Sequence, residues 1–111
     1  MEKKKLFISQ PMKGKTEEEI RKERENAVIS AKEILKEEVA VIDSYIAEDP
    51  PKNADMALWC LGRSLVMMSE ADIVCFAKGW SEARGCKIEH ECAVQYGKNC
   101  LNCSEEDEHE F

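Results

Sequence analysis

The run Asp72-Ile73-Val74-Cys75-Phe76-Ala77 decides the fold, together with the stretch that follows a short loop through Gly79 and Trp80: Gly85-Cys86-Lys87-Ile88-Glu89-His90-Glu91-Cys92-Ala93-Val94-Gln95-Tyr96-Gly97-Lys98. The first run is apolar without alternation, the pattern of a strand buried on both faces. The second predicts a helix over about residues 84–96. A carboxylate about one turn into a helix that opens at the carboxyl edge of a buried strand lies where open α/β sheets bind ligands. That placement singles out Glu89.

Working outward, residues 5–9 form a first strand, with Leu6, Phe7 and Ile8 consecutive and apolar. A turn follows through Gln10-Pro11-Met12-Lys13-Gly14-Lys15. Thr16 has the character of an N-cap, and Glu19 completes a capping box. The helix this predicts runs to about residue 38, with Ile20, Ala27, Val28, Ala31, Ile34 and Leu35 on one face. Residues 39–42 are a second strand ending at Asp43-Ser44. Asp49-Pro50-Pro51 marks a loop, after which Asn53 is expected to cap a helix over about 54–69. That helix is apolar on more than one side, so it is expected to meet both the sheet and a second subunit, with Gly62 suited to close helix approach. Residues 100–102 form a weak last strand. Strands alternating with helices through short connections give a parallel sheet with right-handed crossovers.

A chain of 111 residues is one domain. With 43% apolar and 35% charged residues it reads as soluble. No stretch approaches the roughly 20 apolar residues that span a bilayer, and residues 6–8 are too short an apolar run for a secretory signal. A cytoplasmic protein with no membrane partner is expected. The net charge of −7 argues against binding a nucleic acid polymer, which needs a basic face. Residues 104–111 are acidic and expected to be a disordered tail to a domain spanning 1–103. Cys60, Cys75, Cys86, Cys92, Cys100 and Cys103 are expected as reduced thiols. Cys100-x-x-Cys103 has zinc-like spacing, but no second Cys/His pair answers it, so no metal and no cofactor is expected.

Three groups carry candidate chemistry. The loop from Ser9 to Lys15 combines a helix N-terminus, a glycine and two lysines, an arrangement suited to anions. It lacks the spacing of a P-loop or of GxGxxG, and the competing reading is a surface turn. Glu89 could attack an electrophilic sugar carbon or stabilise an oxocarbenium-like transition state. The competing reading makes Glu89 and Glu91 exposed helix carboxylates. His90 is either a proton carrier or a surface histidine. Asp43, at the functional edge, could hydrogen-bond a sugar hydroxyl, whereas Asp72 begins its strand on the opposite edge and reads as a structural cap.

The segment Ile8-Ser9-Gln10-Pro11-Met12-Lys13-Gly14 and the residues Gly85, Cys86, Glu89, Ala93, Gly97 and Lys98 together resemble the nucleoside 2-deoxyribosyltransferase-like superfamily. Within it, the chain is most similar to a group of short phage and bacterial domains with a Ser-x-Pro-Met-x-Gly loop. The resemblance covers about residues 5–98. It implies a flavodoxin-like or Rossmann-like three-layer α/β fold with a four- or five-stranded parallel sheet, and a nucleoside or nucleotide as ligand. It also implies that Glu89 attacks the anomeric carbon and expels the base, and that the 9–14 loop holds the sugar or a 5′-phosphate. The expected binding set is Ser9, Gln10, Pro11, Met12, Gly14, Asp43, Gly79, Trp80, Arg84 and Gly85. Lys13, Lys15 and Arg84 would favour a phosphorylated substrate. A neighbouring subunit commonly completes such sites, so a homodimer or higher homo-oligomer is expected. Active transferases carry an aspartate at the position of Ala83 and a threonine at Cys86, which leaves Glu82, Arg84 or His90 to protonate the leaving group. The alternative is a non-catalytic module that binds a nucleotide or ADP-ribose-like ligand. A third reading is an interaction domain that keeps the motif residues only for packing.

Overall fold

The computed structural model describes residues 2–44, 46 and 48–103; the acidic 104–111 segment lies outside them. Its elements run β1 (Lys4–Ser9), α1 (Glu17–Leu35), β2 (Val39–Val41), α2 (Met56–Ser69), β3 (Ile73–Phe76), a 3₁₀ turn (Trp80–Glu82), α3 (Arg84–Gln95) and β4 (Asn99–Asn102). Among the described residues the sheet has four strands in the order β2-β1-β3-β4, every pair parallel. This is the strand order of a flavodoxin-like doubly wound sheet.

Side-chain alternation along the strands sorts the core into two layers. Leu6, Ile8, Ile73 and Cys75 face α1 and pack on its Ala27 and Ala31. Phe7, Val74 and Phe76 face the other way, onto Met68 of α2 and Ala93 of α3. Helices therefore cover both faces, which is why β1 and β3 read as unbroken apolar runs. The chain turns one way from β1 to β2 and the other way from β2 through β3 to β4. The topological switch point thus lies between β1 and β3.

The capping box forms as the sequence predicts: Glu19 N donates to Thr16 Oγ1 at 3.1 Å and Thr16 N to Glu19 Oε1 at 2.8 Å. Asp72 has the structural role expected of it, accepting from the Lys5 amide at 2.7 Å at the far edge of the sheet. The cap of α2 is Asp55 rather than Asn53, because Asp55 Oδ1 reaches the Leu58 amide at 3.0 Å. Asn53 instead takes a left-handed conformation, φ 68°, in the preceding turn. Helix α1 stops at Leu35, earlier than expected, where Lys36 turns left-handed. Cys75 and Cys103 are joined in a disulfide, Cα–Cα 6.0 Å, against the expectation of thiols throughout; Cys60, Cys86, Cys92 and Cys100 are free. The two bridged residues share the α1 face of the sheet, a proximity created by β3–β4 pairing alone.

Helix α2 buries little of its apolar surface within the chain. Leu58 is 66% exposed, Met56 55% and Val66 51%. A Cβ at Gly62 would meet nothing within 4 Å, so no close approach inside this chain requires a glycine there.

Candidate active site

Ser9 is the last residue of β1 and faces the α2–α3 layer, since Phe7 two positions earlier does so. Glu89 lies in α3 on the same side as the buried Cys86 and Ala93. The two meet: Ser9 Oγ donates to Glu89 Oε1 at 2.5 Å, with Ser9 1% and Glu89 8% exposed. Glu89 is thus not an exposed helix carboxylate. Glu91 is one, and accepts from Gln95 on the surface. Burial pushes the Glu89 carboxyl above the ordinary carboxylate range; hydrogen bonds from the hydroxyls of Ser9 and Ser64 oppose that shift.

Cys86, one helical turn before Glu89, completes the cluster. Burial raises its thiol pKa, the Ser9 hydroxyl opposes the rise, Glu89 adds to it and Lys15 counters it. The thiol is therefore held neutral and is a poor nucleophile, leaving the carboxylate as the group suited to chemistry. Ser64 escaped the sequence reading because it sits within an apolar helix with no motif around it. The only available signal was a lone serine on the inward side of that helix.

The β1–α1 loop folds over this pair. Gln10 is buried, its Nε2 donating to Ile20 O at 3.0 Å, and its Oε1 is buried with no hydrogen-bond partner among the described residues. Pro11 packs against the neighbouring loop, where a Cβ on Gly79 would lie 3.6 Å from Pro11 Cγ. Gly14 and Gly79 both need their freedom, with φ +78° and +81°. Met12 is 50% exposed at the loop tip. Lys15 is already engaged, its Nζ 2.7 and 2.9 Å from the Glu23 carboxylate oxygens. Lys13 and Arg84 are exposed.

Gly85 lies in the first turn of α3, where an added Cβ would meet nothing within 4 Å. Asp43 is exposed just past β2, one strand from β1. Arg24 fixes the backbone around it, donating to Ile42 O at 2.9 Å and Ser44 Oγ at 3.3 Å. Trp80 opens the 3₁₀ turn and stacks on His90, ring centroids 4.3 Å apart, while Phe76 meets both rings. His90 is therefore half-buried in a ring cluster and not a solvated surface residue. Lys98 is structural: its Nζ donates to Ser69 O at 3.0 Å and Ala71 O at 2.7 Å, closing the C-terminal end of α2.

The structure thus brings together Ser9 and Glu89, with Gln10, Pro11 and Gly79 alongside. It leaves Met12, Asp43 and Arg84 on the surface. Among the described residues no group of three or more His, Cys, Asp or Glu could hold a metal ion, and no helix is long and apolar enough to cross a membrane. A groove of about 540 Å³, lined by Arg21, Arg24, Val28, Ile29 and Val41 among others, lies between α1 and β2 on the opposite face of the sheet from Glu89.

Sheet order, crossovers and the two helical layers define an open, all-parallel α/β domain of the doubly wound class. Within that class the chain belongs to the family described as a domain of unknown function, DUF4406, whose model matches residues 4–102. No curated protein and no solved structure matches the chain.

Proposed function

We propose that this protein cleaves the N-glycosidic bond of a nucleoside or nucleotide, as a hydrolase or a 2-deoxyribosyltransferase-like enzyme, with Glu89 as nucleophile. The observation that carries this reading is the buried Ser9–Glu89 contact at the carboxyl edge of the sheet, beside the switch point. Hydrogen bonds from Ser9, to Oε1, and from Ser64 orient the carboxylate, and Oε2 attacks the anomeric carbon. The C–N bond breaks, its electron pair leaves with the base, and the base nitrogen takes a proton from His90. Water then attacks the anomeric carbon of the glycosyl ester. The carbon–Oε2 bond breaks to return the carboxylate, and the proton from water goes to His90. A second base in place of water gives transfer. Gln10 Oε1 offers an acceptor to a sugar hydroxyl.

The exposed apolar residues of α2, Leu58 and Met56 above all, support association of the protein as a homodimer or larger homo-oligomer. The second reading is a module that binds a nucleotide or ADP-ribose-like ligand without cleaving it. Ala83 and the deep burial of Glu89 favour that alternative.

The deciding experiment incubates the protein with a panel of ribo- and deoxyribonucleosides and their 5′-monophosphates and follows free base by chromatography. Base release that Glu89→Ala abolishes supports the enzyme. Thermal stabilisation by a nucleotide without base release supports the binding module.

A further inference from the structure

A cavity of about 150 Å³ opens at the carboxyl ends of β3 and β4, lined by Phe76, Trp80, His90, Cys100, Leu101 and Asn102. One wall is the ring cluster, with Trp80 and His90 stacked at 23° and Phe76 edge-on to His90. The other wall includes three consecutive residues of β4. Cys100 and Asn102, the register partners of Val74 and Phe76, turn their side chains to the ring-cluster side of the sheet with Leu101 between them, so the cavity lies over the end of the edge strand. Among the described residues β4 pairs only with β3, which makes it the edge strand of the sheet.

The direction of its polar groups follows from one bond. The Cys103 amide donates to Phe76 O at 2.9 Å. With a period of two, Leu101 also turns its amide and carbonyl toward β3, while Cys100 and Asn102 turn theirs outward. The Cys100 carbonyl and the Asn102 amide therefore stand side by side as an acceptor and a donor. A cavity of about 150 Å³ has room for a ring the size of benzene. Aromatic walls with a few placed polar groups are the ordinary make-up of a small-molecule site.

We infer that this cavity is a subsite for a planar heterocyclic base of the nucleobase type, stacked on the ring cluster and read by the Cys100 carbonyl and the Asn102 amide. The inference rests on the proposed function for its ligand class and adds where the base lies. Pairing registers place Ser9, Phe76 and Asn102 in one row across the sheet. Two strand spacings, about 9–10 Å, separate the first from the last. A sugar held against Glu89 and a base in the cavity can accordingly belong to one molecule.

The test titrates adenine, hypoxanthine, cytosine and uracil, and the corresponding nucleoside 5′-monophosphates, into the full chain. Binding is followed by backbone amide and indole NMR shifts. At least one base is expected to move the Asn102 amide and the Trp80 indole together. Asn102→Pro removes the outward-facing N–H together with the side chain, a change an edge strand tolerates, and should weaken binding about tenfold, the weight of one hydrogen bond. Asn102→Ala keeps the N–H and should bind within about twofold of the parent, since reading is by backbone. If Asn102→Pro fails to fold, Trp80→Leu replaces it and should weaken binding at least as much.

Nucleotides that shift the Ser9 and Glu89 amides but leave Asn102 and Trp80 unmoved would overturn the subsite while sparing the proposed function. A base that binds at Asn102 when no nucleotide is ever cleaved sustains the subsite and removes the glycosidic chemistry. Silence of every amide toward every compound overturns both.

Discussion

Ser9 and Glu89, separated by 80 positions in the chain, share a hydrogen bond of 2.5 Å that is sealed from solvent. The hydroxyl donates and the carboxylate accepts, so the contact favours the ionised form of a group that burial drives toward protonation. Ser9→Ala removes that opposition. The Glu89 carboxyl is expected to titrate at higher pH in the variant, followed by carboxyl carbon NMR. Stability should fall by about 1.5–3 kcal/mol, as for a lost hydrogen bond to a charged group. A titration midpoint that stays still or moves down would show that Ser9 does not support the carboxylate.

The same burial makes stability depend on pH. The folded-state pKa of Glu89 lies above its unfolded value, so the native state binds the proton more tightly. The stability that proton contributes is present in full below the unfolded carboxylate pKa, about 4.3. It is lost as pH rises through the folded value. Glu89→Gln has no such proton to lose. The variant should melt higher than the parent at pH 8, and calorimetry should show the gap closing toward pH 4. A gap independent of pH would refute the assignment.

Cys86 offers a chemical check on the same cluster. Its thiol is buried and its pKa raised, chiefly by that burial, whereas Cys60 on α2 is only half-buried. In iodoacetamide at pH 8, mass spectrometry should find Cys60 alkylated well before Cys86. Unfolding in urea should remove the difference.

Lys98 should matter to stability and not to chemistry. It donates to two carbonyls at the end of α2. Lys98→Met is expected to cost about 1–3 kcal/mol in urea denaturation, the range for hydrogen bonds from a charged donor. Base release per folded molecule should be unchanged if Glu89 performs the chemistry.

Much of the fold was legible because the signals were local. The apolar runs around Phe7 and Val74, the Thr16–Glu19 box and the helical spacing before Ala31 each depend on residues within a few positions of one another. Elements appear close to where those signals place them. The exceptions are also local competitions. Asp55, not Asn53, won the cap of α2 because Asn53 was drawn into a left-handed turn.

The site was legible only in outline. Sequence pattern nominated the loop after β1 and the carboxylate of α3, but gave no account of Ser64, which comes from a helix read as apolar on more than one side, or of the Trp80–His90 stack. Met12 and Arg84, expected among the binding residues, are exposed. Whether a helix residue turns inward depends on how neighbouring helices roll against the sheet, and spacing along one chain segment does not encode that.

By itself, then, the sequence determined the kinds of element, their order and hence the parallel sheet, since hydrophobic periodicity and chain connectivity constrain these directly. Only the tertiary structure decided that Glu89 is buried rather than solvated, that Ser9 and Ser64 are its partners, and that Cys75 meets Cys103. Those are contacts between residues far apart in the chain. They exist because pairing β1 with β3 and β3 with β4 brings Ser9 beneath α3 on one face and Cys103 beside Cys75 on the other, and the loss of water around Glu89 is what changes the chemistry of the carboxylate.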